Sequence, residues 1–222
     1  MILKVEIWTD IVCPFCYIGK SIFNEFLSEL PPGESIEVIN RSYELQPEAS
    51  RTSSESTVLG LSRKYGITVG EAKEMMNGVT RMAKENHLMM NVMDALSANT
   101  YDLHRLIHLA KSKGKEEEMI TAFYEAHFVH GVNLNDRSEQ LRVSKEAGLS
   151  KEDVLEVLDS EEYSEEVRRD KMKAKKLSIT GVPYFLFNDS TYISGAQPKA
   201  AFHQLYDQMK KEDEKKSKDL IE

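Results

Sequence analysis

Apolar and polar residues alternate in two stretches near the start of the chain, ILKVEIW at 2–8 and IEVINRSYEL at 36–45. That period of two predicts strands. Between them a helical pattern runs from about Pro14 to Leu30 and stops at Pro31-Pro32-Gly33. From Ser53 to about Leu158 no strand pattern appears. Helical runs with recognisable starts replace it: Thr68 with Glu71 and Ser150 with Asp153 fit capping boxes, and Leu149 with Val154 has the spacing of a hydrophobic staple. A helix over 160–177 places its acids first and its bases last, the order that the macrodipole favours. Two short strands follow, YFLFN at 184–188 and TYIS at 191–194, joined by Asn188-Asp189-Ser190 as a hairpin turn. A last helix is expected from Pro198 to about Lys211, with Ala201, Leu205 and Met209 on one face.

Strand, helix, strand, then helix, strand, strand, helix is the order of a thioredoxin fold. The pattern therefore predicts an α/β chain: a thioredoxin fold with a large all-helical domain inserted between its two halves. The expected division assigns 1–50 and 163–212 to the thioredoxin-like domain, 51–162 to the helical insert and 213–222 to a charged, solvated tail. A hydrophobic content of 41 % with 30 % charged residues is ordinary globular composition for 222 residues. The formal net charge of −8 argues against non-specific attraction to nucleic acid. No signal-peptide pattern and no run of ~18 apolar residues is present, so no membrane partner is expected and a cytoplasmic location is.

The chain has two cysteines, Cys13 and Cys16, placed where the first strand gives way to the first helix. Unpaired N–H groups and the positive dipole end at a helix start favour a thiolate, so Cys13 is expected to attack. Cys16, one turn later, can then attack a mixed disulfide formed at Cys13 and release the bound thiol. A zinc site would need two further ligands and there is no second cysteine pair, so no metal is expected. Two inert buried thiols are the plain alternative.

Four motifs, D-I-V-C-P-F-C-Y-I-G-K at 10–20, Asn99-Thr100, T-G-V-P at 180–183 and I-S-G-A-Q-P at 193–198, resemble the DsbA-like thioredoxin superfamily, most closely its FrnE-like branch. The likeness covers nearly the whole chain. It implies a thiol-disulfide oxidoreductase with Cys13 as nucleophile, Cys16 as resolving thiol and Pro183 as a cis-proline facing Cys13. Pro14, Phe15, Val182 and Gln197 are then expected around the substrate. The implied partner is a protein or small-thiol disulfide, glutathione among the candidates, and no cofactor is implied beyond the redox-active Cys13–Cys16 disulfide. Related kappa-class glutathione transferases and 2-hydroxychromene-2-carboxylate isomerases resemble this chain but carry serine at the position of Cys13. A glutathione-dependent transferase or isomerase is thus one alternative function. A groove-binding or chaperone module without turnover is another.

Several residues have simpler expected roles. Phe15, between the cysteines, has no charge with which to stabilise a thiolate, which predicts a less oxidising couple than a histidine there would give. Asp10 reads as a turn or capping residue; turned inward, its carboxylate would oppose a thiolate. Six methionines at 75–93 recur at helical spacing and read mainly as core, some of them roofing the groove. His104, His108, His127 and His130 read as surface or partly buried residues rather than metal ligands.

Overall fold

The computed structural model describes residues 3–52 and 54–219. Its sheet has four strands: β1 (Leu3–Thr9), β2 (Ile36–Ser42), β3 (Tyr184–Phe187) and β4 (Thr191–Ser194). They lie in the order β2-β1-β3-β4, with β1 parallel to β2 and the other neighbours antiparallel. The crossover between β1 and β2 is α1 (Pro14–Ser28). Between β2 and β3 come α2 (Thr57–Tyr65), α3 (Val69–Glu85), α4 (Tyr101–Ser112), α5 (Glu116–Phe128), α6 (Arg137–Glu146), α7 (Lys151–Leu158) and α8 (Ser164–Lys176). The last helix, α9, spans Lys199–Asp219. This is an α/β thioredoxin-like fold with a helical insertion between β2 and β3.

Alternation along β1 and β3 sends side chains to both faces of the sheet. On one face Phe185 packs with Phe23 of α1 and Phe202 of α9, at ring separations of 5.3 and 5.0 Å. On the other, Trp8 and Leu186 lie under Ala174 of α8, and Trp8 Nε1 donates to the Asp170 carbonyl at 3.2 Å. Below α8, buried Glu6 and Asp170 both hold Arg41, at 2.8 and 2.9 Å. Both carboxyls sit below their usual range despite burial, which opposes the shift: Lys173 and Arg41 lower Glu6, and His108, the Ser42 N–H and Arg41 lower Asp170. Thr68 and Glu71 form the full capping box at the start of α3. Ser150 caps α7 through the Asp153 N–H, with Leu149 and Val154 both buried beside it.

The expected boundaries needed four corrections. β2 ends at Ser42 rather than residue 45, because the Tyr43 carbonyl accepts from His104 Nε2 at 2.9 Å and the Leu45 N–H donates to Asp10 at 2.7 Å. Those groups are removed from any ladder. α8 begins at Ser164, not near 160, because the buried Arg105 guanidinium binds the carbonyls of Val157, Ser160 and Glu162 and fixes that stretch as a turn. Strand β3 stops at Phe187, since Asn188 and Asp189 adopt φ of 45° and 55° as a hairpin turn of that hand requires. The helix expected to end at Lys211 continues to Asp219 through the charged run, whose Glu and Lys residues are good helix formers. Residues 220–222 lie outside the described residues, as do Ile2 and Ser53 at the edges of other expected segments.

Candidate active site

The chain leaves β1 at Thr9, turns with the Cys13 N–H bonded to the Asp10 carbonyl at 3.1 Å, and enters α1 with Cys13 as its N-cap and Pro14 in its first turn. No side chain caps this helix start and no acid occupies its first turn, so the positive end of the helix is left facing Cys13. Cys13 is only 4 % exposed and Cys16 is fully buried; both are free thiols. Cys13 Sγ lies 3.5 Å from the Val182 carbonyl oxygen, on the loop that enters β3. The Val182–Pro183 bond is cis, as the resemblance implied. Residues from opposite ends of the chain are thus brought together by β1–β3 pairing.

The close approach of these two loops depends on Gly19. A methyl group on its Cα would stand 2.8 Å from Pro183 Cγ and 3.5 Å from the Ala196 Cα. Only a residue without a side chain lets α1 lie this near the proline ring.

Beneath Cys13 the surroundings are dry and titratable. Burial, reinforced by the neighbouring Cys13, pushes the Cys16 thiol well above its ordinary range, against the pull of the Asp10 N–H at 3.5 Å from its sulfur. Asp10 faces inward: it is fully buried, one carboxylate oxygen takes the Leu45 N–H, and the other has no hydrogen-bond partner. His104 Nε2 lies 3.5 Å from that second oxygen but donates to the Tyr43 carbonyl. Burial, then the nearby cysteines, raises the Tyr124 phenol well above its usual value. Burial also lowers the His127 imidazole to about 4, although the Asp10 charge pulls it upward. His104 and His127 are therefore interior residues of α4 and α5, more deeply buried than the surface or partly buried placement expected, whereas His108 is half-buried and His130 exposed.

Cys13 opens onto a cavity of about 1100 Å³ between the Cys13 loop, Gly181-Val182 and helices α2 and α3. Pro14, Phe15 and Val182 line it, as do Met75, Met76 and Met82 from the methionine-rich stretch. Phe15 stands at the mouth, 40 % exposed. Gln197 does not line this cavity; its side chain donates to the Ser194 carbonyl at 3.0 Å within its own turn. Asn99 binds the Pro47 and Ala49 carbonyls and the Tyr101 N–H, tying the loop after β2 to the start of α4. A sequence reading as a helix cap finds only the last of these bonds. A second cavity, about 740 Å³ between α1, α5 and α6, is lined with glutamates and has no cysteine.

The match to known proteins agrees with this frame. The model of the DSBA-like thioredoxin domain matches residues 4–207, so the chain belongs to that family. A probable DsbA oxidoreductase from Streptomyces coelicolor is 36 % identical and superposes with a TM-score of 0.89, over 93 % of this chain and 89 % of that one. YwbO, an uncharacterised protein of Bacillus subtilis, is 25 % identical over 225 residues, covering 95 % of this chain and all of its own. A 2-hydroxychromene-2-carboxylate isomerase shares the fold at 14 % identity, with a TM-score of 0.66 over 97 % of this chain and 98 % of its own. Among the described residues no helix is long and apolar enough to cross a membrane.

Proposed function

We propose that this protein is a thiol-disulfide oxidoreductase working through Cys13 and Cys16. The observation that carries the reading is the placement of Cys13 Sγ at a helix start, 3.5 Å from the Val182 carbonyl and open to a cavity, with Cys16 buried behind it. In the reducing direction the Cys13 thiolate attacks one sulfur of a substrate disulfide and expels the other as a thiolate. Cys16 then gives its proton to the departing sulfur and attacks Cys13, expelling the second substrate sulfur as a thiolate that takes a proton from water; two substrate thiols and a Cys13–Cys16 disulfide result. Val182 and Pro183 offer backbone and ring surface to the bound disulfide, Pro14 and Phe15 flank the sulfur, and the unit formed by 1–50 and 163–212 carries the chemistry while 51–162 covers it. The two-cysteine site suits a reducing compartment such as the cytoplasm, where a partner thiol regenerates the dithiol.

The experiment is a pair of substitutions. Cys13→Ser abolishes reduction of the insulin disulfides, and Cys16→Ser accumulates a mixed disulfide at Cys13 that mass spectrometry detects. Equal activity in Cys13→Ser and the native protein refutes the reading. Glutathione binding that survives Cys13→Ser, with turnover of an electrophile, would instead mark a transferase or isomerase.

A further inference from the structure

The cavity at Cys13 differs from a surface groove in who can reach the sulfur. Cys13 is 4 % exposed, so a substrate disulfide has to come to it along the cavity rather than across a flat surface. Val12, Leu61, Met76, Val79, Met82 and Phe128 make the walls apolar. Its volume of about 1100 Å³ lies just above the range of small-molecule sites, about 300–1,000 Å³.

Charge narrows the occupant further. Among the described residues that line the cavity, three are charged: Glu55, Arg63 and Lys64. Glu55 and Arg63 pair with each other. Lys64 rests 5.6 Å above the Tyr65 ring, with no carboxylate among the described residues paired to it. In a chain of net charge −8, the one unmatched charge of this lining is therefore positive. Glutathione, with two carboxylates, an ammonium and two amides, would leave most of its polar groups against these apolar walls, which costs affinity.

We propose that the cavity takes low-molecular-weight disulfides of apolar thiols that carry one acid group at the far end, the sulfur meeting Cys13 and the acid meeting Lys64. The proposal rests on the dithiol reading above. One turnover balances with the protein's own thiols: the substrate disulfide gains two electrons and two protons and leaves as two thiols, and Cys13 and Cys16 become a disulfide.

The test is single-turnover reaction of the reduced protein with symmetrical disulfides of ω-mercaptoalkanoic acids, from the four-carbon to the seven-carbon acid, in which the thiol acidity barely changes. Each added methylene is expected to raise the second-order rate constant roughly threefold to fourfold, the factor set by burying about 0.8 kcal/mol of CH₂. The matching ω-mercaptoalkylamine disulfides are expected to be slower by on the order of tenfold, because one unit charge of the wrong sign faces Lys64. Lys64→Gln should bring the acid-to-amine ratio towards one. Hydroxyethyl disulfide, short and uncharged, separates the two readings. Reaction with it, combined with a flat chain-length series or with faster reaction of glutathione disulfide, overturns the cavity proposal alone. No reaction with any disulfide overturns the dithiol reading and this proposal together.

Discussion

His127 makes stability depend on pH in a window where most groups are silent. Its ring is 1 % exposed, its Nδ1 has no hydrogen-bond partner, and it packs edge-on against Phe128 at 4.5 Å. Burial holds its folded value at about 4, against 6.5 for the ordinary imidazole. Between these values the unfolded chain binds a proton that the folded protein refuses, so stability is complete above about 6.5 and falls as the pH drops towards 4. The full difference of about 2.5 units corresponds to about 3 kcal/mol. Going from about pH 7 to about pH 5 realises about 2 kcal/mol of it. Urea unfolding followed by circular dichroism at the two pH values measures the loss. His127→Leu removes the titrating ring and keeps an apolar side chain in the site. Its unfolding free energy should fall by at least 1 kcal/mol less over the same interval than that of the native protein. Equal losses in the two proteins would refute the assignment and place the proton uptake elsewhere.

Two more perturbations probe the thiol site. Gly19→Ala improves helix propensity by up to about 1 kcal/mol but forces the new methyl into the Pro183 ring, an overpacking worth about 1–3 kcal/mol. The expected outcome is a lower urea midpoint and roughly tenfold slower mixed-disulfide formation at Cys13, given that an ångström of misplacement costs about a hundredfold; a stabilised variant with an unchanged rate contradicts the contact. Asp10→Asn keeps an acceptor for the Leu45 N–H and removes the charge that helps raise the Cys16 thiol. The pH midpoint for decay of the mixed disulfide should move down, and a stationary midpoint shows that Asp10 does not act on Cys16.

What the sequence displayed was what local chemistry controls. The alternation in β1, the Pro14 helix start and the Asn188-Asp189 turn each depend on residues within a few positions, and all are where the pattern put them. The end of β2 was not legible, because its ladder is interrupted by His104 and Asp10, far away in sequence. The role of Arg105 was not legible either, because the three carbonyls it gathers lie 52 to 57 positions further along the chain. The cysteines announced themselves through spacing, and Pro183 through the motif it shares with the family. Gly19 gave no sign beyond membership of the D-I-V-C-P-F-C-Y-I-G-K motif, since its need for a bare Cα arises from a ring 164 positions later in the chain. The methionines were half legible: Met76 is core, while Met75 is 48 % exposed at the cavity mouth.

The contact between Cys13 and Val182 spans 169 residues of chain. β1 and β2 can pair as soon as the first crossover exists, but β3 and its proline loop emerge only after the whole insert has been made. A growing chain therefore carries the cysteine pair long before it carries the surface opposite it. Through most of synthesis the two thiols lack the Val182 carbonyl and the cavity beside it, and a chain cut anywhere before residue 182 has the motif but not the site. Closing a loop of this length also makes β1–β3 pairing the high-contact-order event of folding, and hence the slow one. Completion of the fold and assembly of the thiol's surroundings are the same step.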